Sequence, residues 1–273
     1  MCLSESGGNF LLEKIRPEEA EYKEDTARIM SSLKNMGLDR IHPYCEFGEK
    51  DHVFKTSEGF FQIRPFAEGS PPERPAFIHD LEKARNSSAF LNELYALKNA
   101  PEAAAKRVFI FSAFLKGFRE KLQTNSPELL SETKTELDFV LKIIPDAEKA
   151  SPAVFCHGDF HPLNIVWKGD EISSVIDWEF CGYKHPLFDA AHFIGCCGFE
   201  NPEFLFSPFV KSFSANLAFP QDMKAKIPEI ILAGRFLWLS YWLALRDEDL
   251  ISLEKEYISL LFKNIEMYRD SLR

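Results

Sequence analysis

Asp159, Asn164 five residues on and Asp177 thirteen further are the residue types and spacings in this chain that suit chemistry. Two apolar runs, Ile165–Trp167 and Ile172–Ile176, lie between the Asn and the second Asp. They flank Lys168-Gly-Asp-Glu171, which has the composition of a tight hairpin turn. A hairpin folds the chain back, so that Asn164 and Asp177 face one point with Asp159 beside it. Phosphoryl transfer from ATP needs these parts: a carboxylate to orient or deprotonate a hydroxyl, and an amide and a carboxylate on Mg²⁺. The purely structural alternatives are an Asx-turn at Asp159 and capping of the hairpin ends by Asn164 and Asp177.

The run His157-Gly-Asp159, four residues, Asn164, followed by Ile176-Asp177, resembles the catalytic and metal loops of the aminoglycoside phosphotransferase and choline kinase family. These are small-molecule kinases with a protein-kinase-like fold. Pro186-Leu-Phe-Asp189-Ala-Ala191 resembles the stretch that follows the metal loop. The resemblance implies Asp159 as the base or hydroxyl-orienting carboxylate and Asn164 and Asp177 as Mg²⁺ ligands. It also implies Lys14 as the strand lysine on the ATP phosphates, and Ile63–Phe66 as the hinge that holds adenine through backbone groups. His157 is expected to prop its own loop. His161, His185 and His192 read as surface or packing residues. Glu179 reads either as a metal- or acceptor-facing carboxylate or as half of a salt bridge. The chain also departs from the family. Only about nine residues precede Phe10, too few for the usual first strands and glycine-containing phosphate loop at about 3.3 Å per residue. Ser6–Asn9 reads as the remnant of a turn. Glu24 and Asp25 are the candidates for the helix carboxylate that pairs with Lys14.

The elements that must position these residues follow from periodicity. A strand is expected from Phe10 to Ile15, then a helix opened by Pro17-Glu-Glu and ended by Gly37. A meander of runs at 41–47, 52–56 and 60–66 follows. The Pro/Gly-rich crossing 66–75 marks a boundary. Helices are then expected at 77–98, 103–123 and from Ser126 to just before Pro145, and after the hairpin at 187–196, 203–216, 222–246 and 248–270. This is an α+β, protein-kinase-like two-lobe architecture. Residues 1–66 are expected to form a shortened nucleotide-binding lobe, and 67–273 a catalytic and acceptor-binding lobe. The aromatic stripe from Phe236 to Trp242 reads first as core packing, with Trp238 or Trp242 available to an acceptor.

The bulk properties narrow the partners. A net charge of −10 speaks against a nucleic-acid surface. It serves solubility and also suits a cationic, amine-bearing alcohol or sugar as acceptor. The 26 Phe predict Phe-packed cores. Six cysteines without paired spacing suit free thiols. No signal-like or membrane-spanning stretch is present in the sequence, so a cytoplasmic protein without a membrane partner is expected. Two other functions stay open at this stage. One is a catalytically impaired ligand-binding relative, motivated by the short N-terminus. The other is a metal-dependent hydrolase built on His157, Asp159 and His161, with His185 and His192 as further ligands.

Overall fold

The computed structural model describes all residues except Met1, 4–7, 49, 75, 98–100 and 273. An antiparallel sheet of order β1-β2-β4-β3 opens the chain, from β1 (Cys2–Leu3), β2 (Asn9–Ile15), β3 (Phe54–Thr56) and β4 (Gly59–Pro65). The two residues of β1 pair with Asn9 and Phe10. A strand therefore does precede the expected first one, although much of the Ser6–Asn9 turn lies outside the described residues.

Helix α1 (Ala20–Asn35) packs between this sheet and the rest of the molecule. Thr26, Ala27, Ile29, Met30 and Leu33 are its buried side, the spacing of an amphipathic helix. Gly37 ends it in the left-handed region, at φ 98°. There the Leu38 amide reaches back to the Leu33 carbonyl at 3.0 Å and the Gly37 amide to Lys34 at 3.0 Å, a capping arrangement that glycine permits. The run 41–47 is not a strand. Pro43 interrupts it, and its backbone is tied to neighbouring segments by the Cys45 amide, bonded to the Ile63 carbonyl at 2.7 Å, and by the Phe47–Asp51 bridge.

The helical part comprises α2 (Leu81–Ala96), α3 (Phe111–Asn125), α4 (Pro127–Ala150), α5 (Phe188–Glu200), α6 (Pro208–Asn216), α7 (Gln221–Lys224), α8 (Ile227–Leu245), α9 (Glu248–Lys263) and α10 (Ile265–Ser271). The expected helices at 77–98, 203–216, 222–246 and 248–270 are each broken into two pieces, and two further boundaries differ for identifiable physical reasons. Helix α3 begins at 111, not 103, because 107–109 runs extended beside another strand: the Tyr183 amide donates to the Arg107 carbonyl at 2.7 Å, and the Phe109 amide to the Tyr183 carbonyl at 2.9 Å. Helix α4 runs through Pro145 to Ala150. The lost backbone bond is offset by the burial of Leu137, Val140 and Ile144 on the same helix.

Two short ladders sit between α4 and α5. One joins β5 (Val154–Cys156) to β8 (Gly182–Lys184), and the other is the anticipated hairpin, β6 (Ile165–Lys168) with β7 (Glu171–Val175). Gly169 takes φ 64° in the hairpin turn, which glycine supplies without steric cost. The core is built from Phe, as the composition suggested. Phe160 stacks on Phe90, with centroids 5.7 Å apart, and Phe193 stacks on Phe213 at 5.1 Å. These stacks lie directly beneath the Asp159 loop.

One arginine ties the two parts together. Arg107 lies 4.0 Å above the Tyr22 ring and donates to the Thr26 hydroxyl and the Tyr22 carbonyl, both at 3.0 Å.

Candidate active site

The Asp159 loop is held from below by a buried carboxylate. Asp189, at the start of α5 and fully buried, accepts the amides of His157 at 2.7 Å and Gly158 at 2.8 Å. Burial pushes its pKa up, against the pull of those two amides. His157 is also fully buried, and it braces the loop as expected. Its Nε2 meets the Ile176 carbonyl at 3.0 Å and its Nδ1 accepts the Asp159 amide at 3.2 Å. With Nδ1 accepting, Nε2 carries the proton. Burial lowers this imidazole's pKa to about 4, so it is neutral near pH 7. Gly158 takes φ 88°, and a Cβ there would stand 2.0 Å from the Phe180 carbonyl oxygen. The glycine is therefore required both by its backbone angle and by the close approach of the 178–181 turn.

Asp159 is mostly buried and is gripped on both oxygens. His192 Nε2 lies 2.9 Å from Oδ1, and Asn164 Nδ2 donates to Oδ2 at 3.0 Å and to the Asp159 carbonyl at 2.9 Å. His161 Nε2 stands 3.6 Å from Oδ2. Burial alone would raise the Asp159 pKa. The two imidazoles outweigh it and hold the carboxyl far below the usual carboxylate range. Around His192, burial disfavours the proton, but the Cys196 sulfur at 3.7 Å and the Asp159 carboxylate more than compensate, raising its pKa to about 10. His192 is thus an imidazolium against Asp159, not the packing residue that the sequence suggested. A signal for it existed, since His192 follows Asp189 by one helical turn and shares its side of α5.

Asn164 and Asp177 are brought together by the hairpin. The Ile176 amide, one residue before Asp177, donates to the Asn164 carbonyl at 2.9 Å. Asp177 has left-handed backbone, φ 65°, a conformation uncommon outside glycine and Asn/Asp. Its carboxylate has no hydrogen-bond or ion-pair partner among the described residues. Desolvation, then the Glu179 and Asp159 charges, raise its pKa. A carboxylate without a partner, subject to the Glu179 and Asp159 charges and on a segment bonded to Asn164, suits a hard divalent cation. The residues fit Mg²⁺ on that ground. Among the described residues no cluster of three His, Cys, Asp or Glu could hold a metal. His157 is committed to its own loop, and His185 accepts the Leu187 amide at 3.2 Å. The zinc-type hydrolase reading therefore loses His157 and His185 as ligands, and the His161 and His192 Nε2 atoms face the Asp159 carboxylate.

Asp177 lines a cleft of about 330 Å³ between β2, β4 and α1 on one side and the 176–179 turn on the other. Two sequence-selected residues are not brought to face it. Lys14 is exposed, with its ammonium 5.9 Å from the Phe61 ring centroid, and is not among the residues lining the cleft. Ile63 has its carbonyl taken by Cys45. The cleft is lined by two cations, Arg64 of β4 and Lys23 of α1, the latter bonded to Glu13 at 2.5 Å and to Glu179. Glu24 instead accepts the His52 and Val53 amides at 2.8 Å. On the far side of Asp159, Trp238 of α8 stacks on His192 at 5.8 Å and on Trp242 at 5.3 Å, with Tyr241 exposed beside them.

Comparisons with known proteins bear on the fold and the family. The fold is similar to that of aminoglycoside 2'-phosphotransferase-IIIa in its GDP complex, at TM-score 0.72 and 18% identity, covering 93% of this chain and 86% of that one. It is also similar to a choline/ethanolamine kinase family protein from Mesorhizobium loti, at TM-score 0.66 and 13% identity, covering 98% and 87%. In sequence, ethanolamine kinase 2 of Rattus norvegicus is 25% identical over 114 residues, which span 36% of this chain and only 29% of the rat protein. Residues 3–218 match the phosphotransferase enzyme family, APH. With that match covering most of its length and the loop geometry of Asp159, Asn164 and Asp177 in place, the chain belongs to the APH phosphotransferase family.

Proposed function

We propose that this protein transfers the γ-phosphoryl group of ATP to a hydroxyl of a small amine-bearing alcohol or sugar, with residues 1–66 as the nucleotide-binding part. The observation that carries the reading is Asp159, fixed on both oxygens beside an unpartnered Asp177. Such rigidity is what positioning a hydroxyl requires. A carboxylate held so far below its usual pKa is a weak proton acceptor. Asp159 therefore orients the acceptor oxygen through a hydrogen bond and takes its proton late, as the oxygen bonds to phosphorus. A loose phosphoryl-transfer transition state asks little more of a base. Asn164 and Asp177 would hold Mg²⁺, which when bound neutralises charge on the phosphates. The aromatic face of Trp238, Tyr241 and Trp242, joined to Asp159 through His192, supports an acceptor with a cationic amine, as does the net charge of −10.

The test is the thermal unfolding of wild type and Asp177→Ala with Mg-ATP, followed by a screen of amino alcohols and amino sugars. A ligand at a hundred times its Kd stabilises the folded state by about 2.7 kcal/mol. That gain is expected in wild type with Mg²⁺ and is lost in Asp177→Ala or with chelator. No Mg-ATP stabilisation of either protein would instead identify a catalytically impaired relative.

A further inference from the structure

Strand parity sorts the residues of the small sheet. Glu13 pairs in register with Gln62 and Leu11 with Arg64, whereas Lys14 pairs with Phe61. Leu11, Leu12, Glu13 and Arg64 line the cleft, whereas Lys14 does not; Glu13 and its neighbour Lys14 point to alternate faces of the strand. The strand position facing the cleft is therefore occupied by a carboxylate. The helix supplies the cation. Lys23 has only 10% of its side chain exposed, and Glu13 and Glu179 accept from its ammonium. Desolvation opposes the charge, and the two carboxylates outweigh it and raise its pKa. Glu13 and the Lys23 backbone are themselves fixed. The Tyr44 hydroxyl donates to Glu13 at 3.0 Å, and Gln62 Nε2 donates to the Lys23 carbonyl at 3.1 Å.

We infer that Lys23 on α1, and not Lys14 on β2, is the residue that binds the phosphates of the nucleotide, with Glu13 as its supporting carboxylate. The ion pair across the cleft is reversed, with the anion on the strand and the cation on the helix. The inference rests on the nucleotide-dependent reading above. A phosphate responds to where the ammonium is, not to the backbone that carries it, so the reversal leaves the chemistry intact. An ammonium has three N–H donors. Glu13 and Glu179 accept two, and the third is left for an anion in the same cleft as Asp177. Arg64 adds a second positive group: it makes no ion pair among the described residues, and its buried Nε has no partner there.

Wild-type protein treated with an acyl-phosphate derivative of ATP reports the lysine directly. The neutral amine attacks the acyl carbon, the acyl–oxygen bond breaks, an amide forms on Nζ, ATP leaves and the proton passes to solvent. Peptide mass spectrometry is expected to find the label on Lys23, suppressed by excess ATP. A label on Lys14, or one that ATP does not suppress, overturns the inference. Calorimetry gives a second measure. Lys23→Met should weaken Mg-ATP roughly ten- to hundredfold, the worth of one charge-assisted hydrogen bond, and leave adenosine binding within about twofold if phosphate alone is lost. Lys14→Met should change neither. Equal Mg-ATP affinity in wild type and Lys23→Met would remove Lys23 while leaving the nucleotide reading intact. Wild type that binds no nucleotide would overturn both.

Discussion

At the scale of single residues the site is a set of opposed charges around Asp159. Replacing Asp159 by Asn keeps its shape and removes its charge. We expect kcat to fall by about 10²- to 10⁴-fold, with folding and Mg-ATP binding retained, as measured by steady-state turnover beside calorimetry. His192 makes a second prediction. Folding raises its pKa from the ordinary 6.5 to about 10. Its stabilising effect is therefore complete below about pH 6.5 and is lost as pH climbs through about 10. Asp159 runs the other way: its folded pKa is lowered, so its share is present above the usual carboxylate range and lost in acid. His192→Phe, which keeps an aromatic ring against Phe188 and Trp238, should cost about 1.5–3 kcal/mol near neutral pH. Denaturant curves should show wild type and variant converging as pH passes 10, and a constant gap across that range would disprove the ion pair. Asp159, Asn164 and Asp177 were legible in the sequence because one loop and one hairpin bring them together. His192 was not, since it reaches Asp159 from a helix 33 residues away. Lys14 was misplaced for a different reason: Phe10, Leu11 and Leu12 are all apolar, so the strand's parity could not be read from its pattern.

At the scale of elements, the loop exists because three segments meet at Gly158. The turn at 178–181 crosses it, Asp189 of α5 caps its amides, and the β5–β8 ladder brings both ends together. Gly158→Ala forces a Cβ against the Phe180 carbonyl and demands positive φ of alanine. Its expected cost is about 3 kcal/mol or more, from backbone strain together with overpacking, read as a shift in denaturant midpoint. Activity should fall further than stability, because the displaced segment carries Asp159. The hairpin β6–β7 could be read locally from its Gly-Asp turn. The β5–β8 ladder could not, because each strand is three residues long and its partner lies beyond the hairpin. The same pairing draws 107–109 into extended structure, which displaced the expected start of α3 by eight residues, from 103 to 111.

At the scale of the whole molecule, α1 and the segment after it share one hydrophobic core with the helical part and are bonded to it through Lys23 and Glu179, Arg40 and Val175, and Arg107. The fold class was readable from the order of strands, helices and embedded hairpin. The placement of α1 was not, because it depends on Arg107, Tyr22, Lys23 and Glu179, which are far apart in sequence. Arg107 concentrates that attachment in one side chain, holding α1 through Tyr22 and Thr26 while its own carbonyl accepts from Tyr183. The consequence is cooperativity. With Arg107 in place, scanning calorimetry should show one endotherm. Arg107→Ala should separate it into two, with the sheet and α1 melting first and amide exchange in α1 accelerating while exchange in α8 is unchanged. That outcome would make a residue outside the cleft decide whether the chain unfolds as one unit or two.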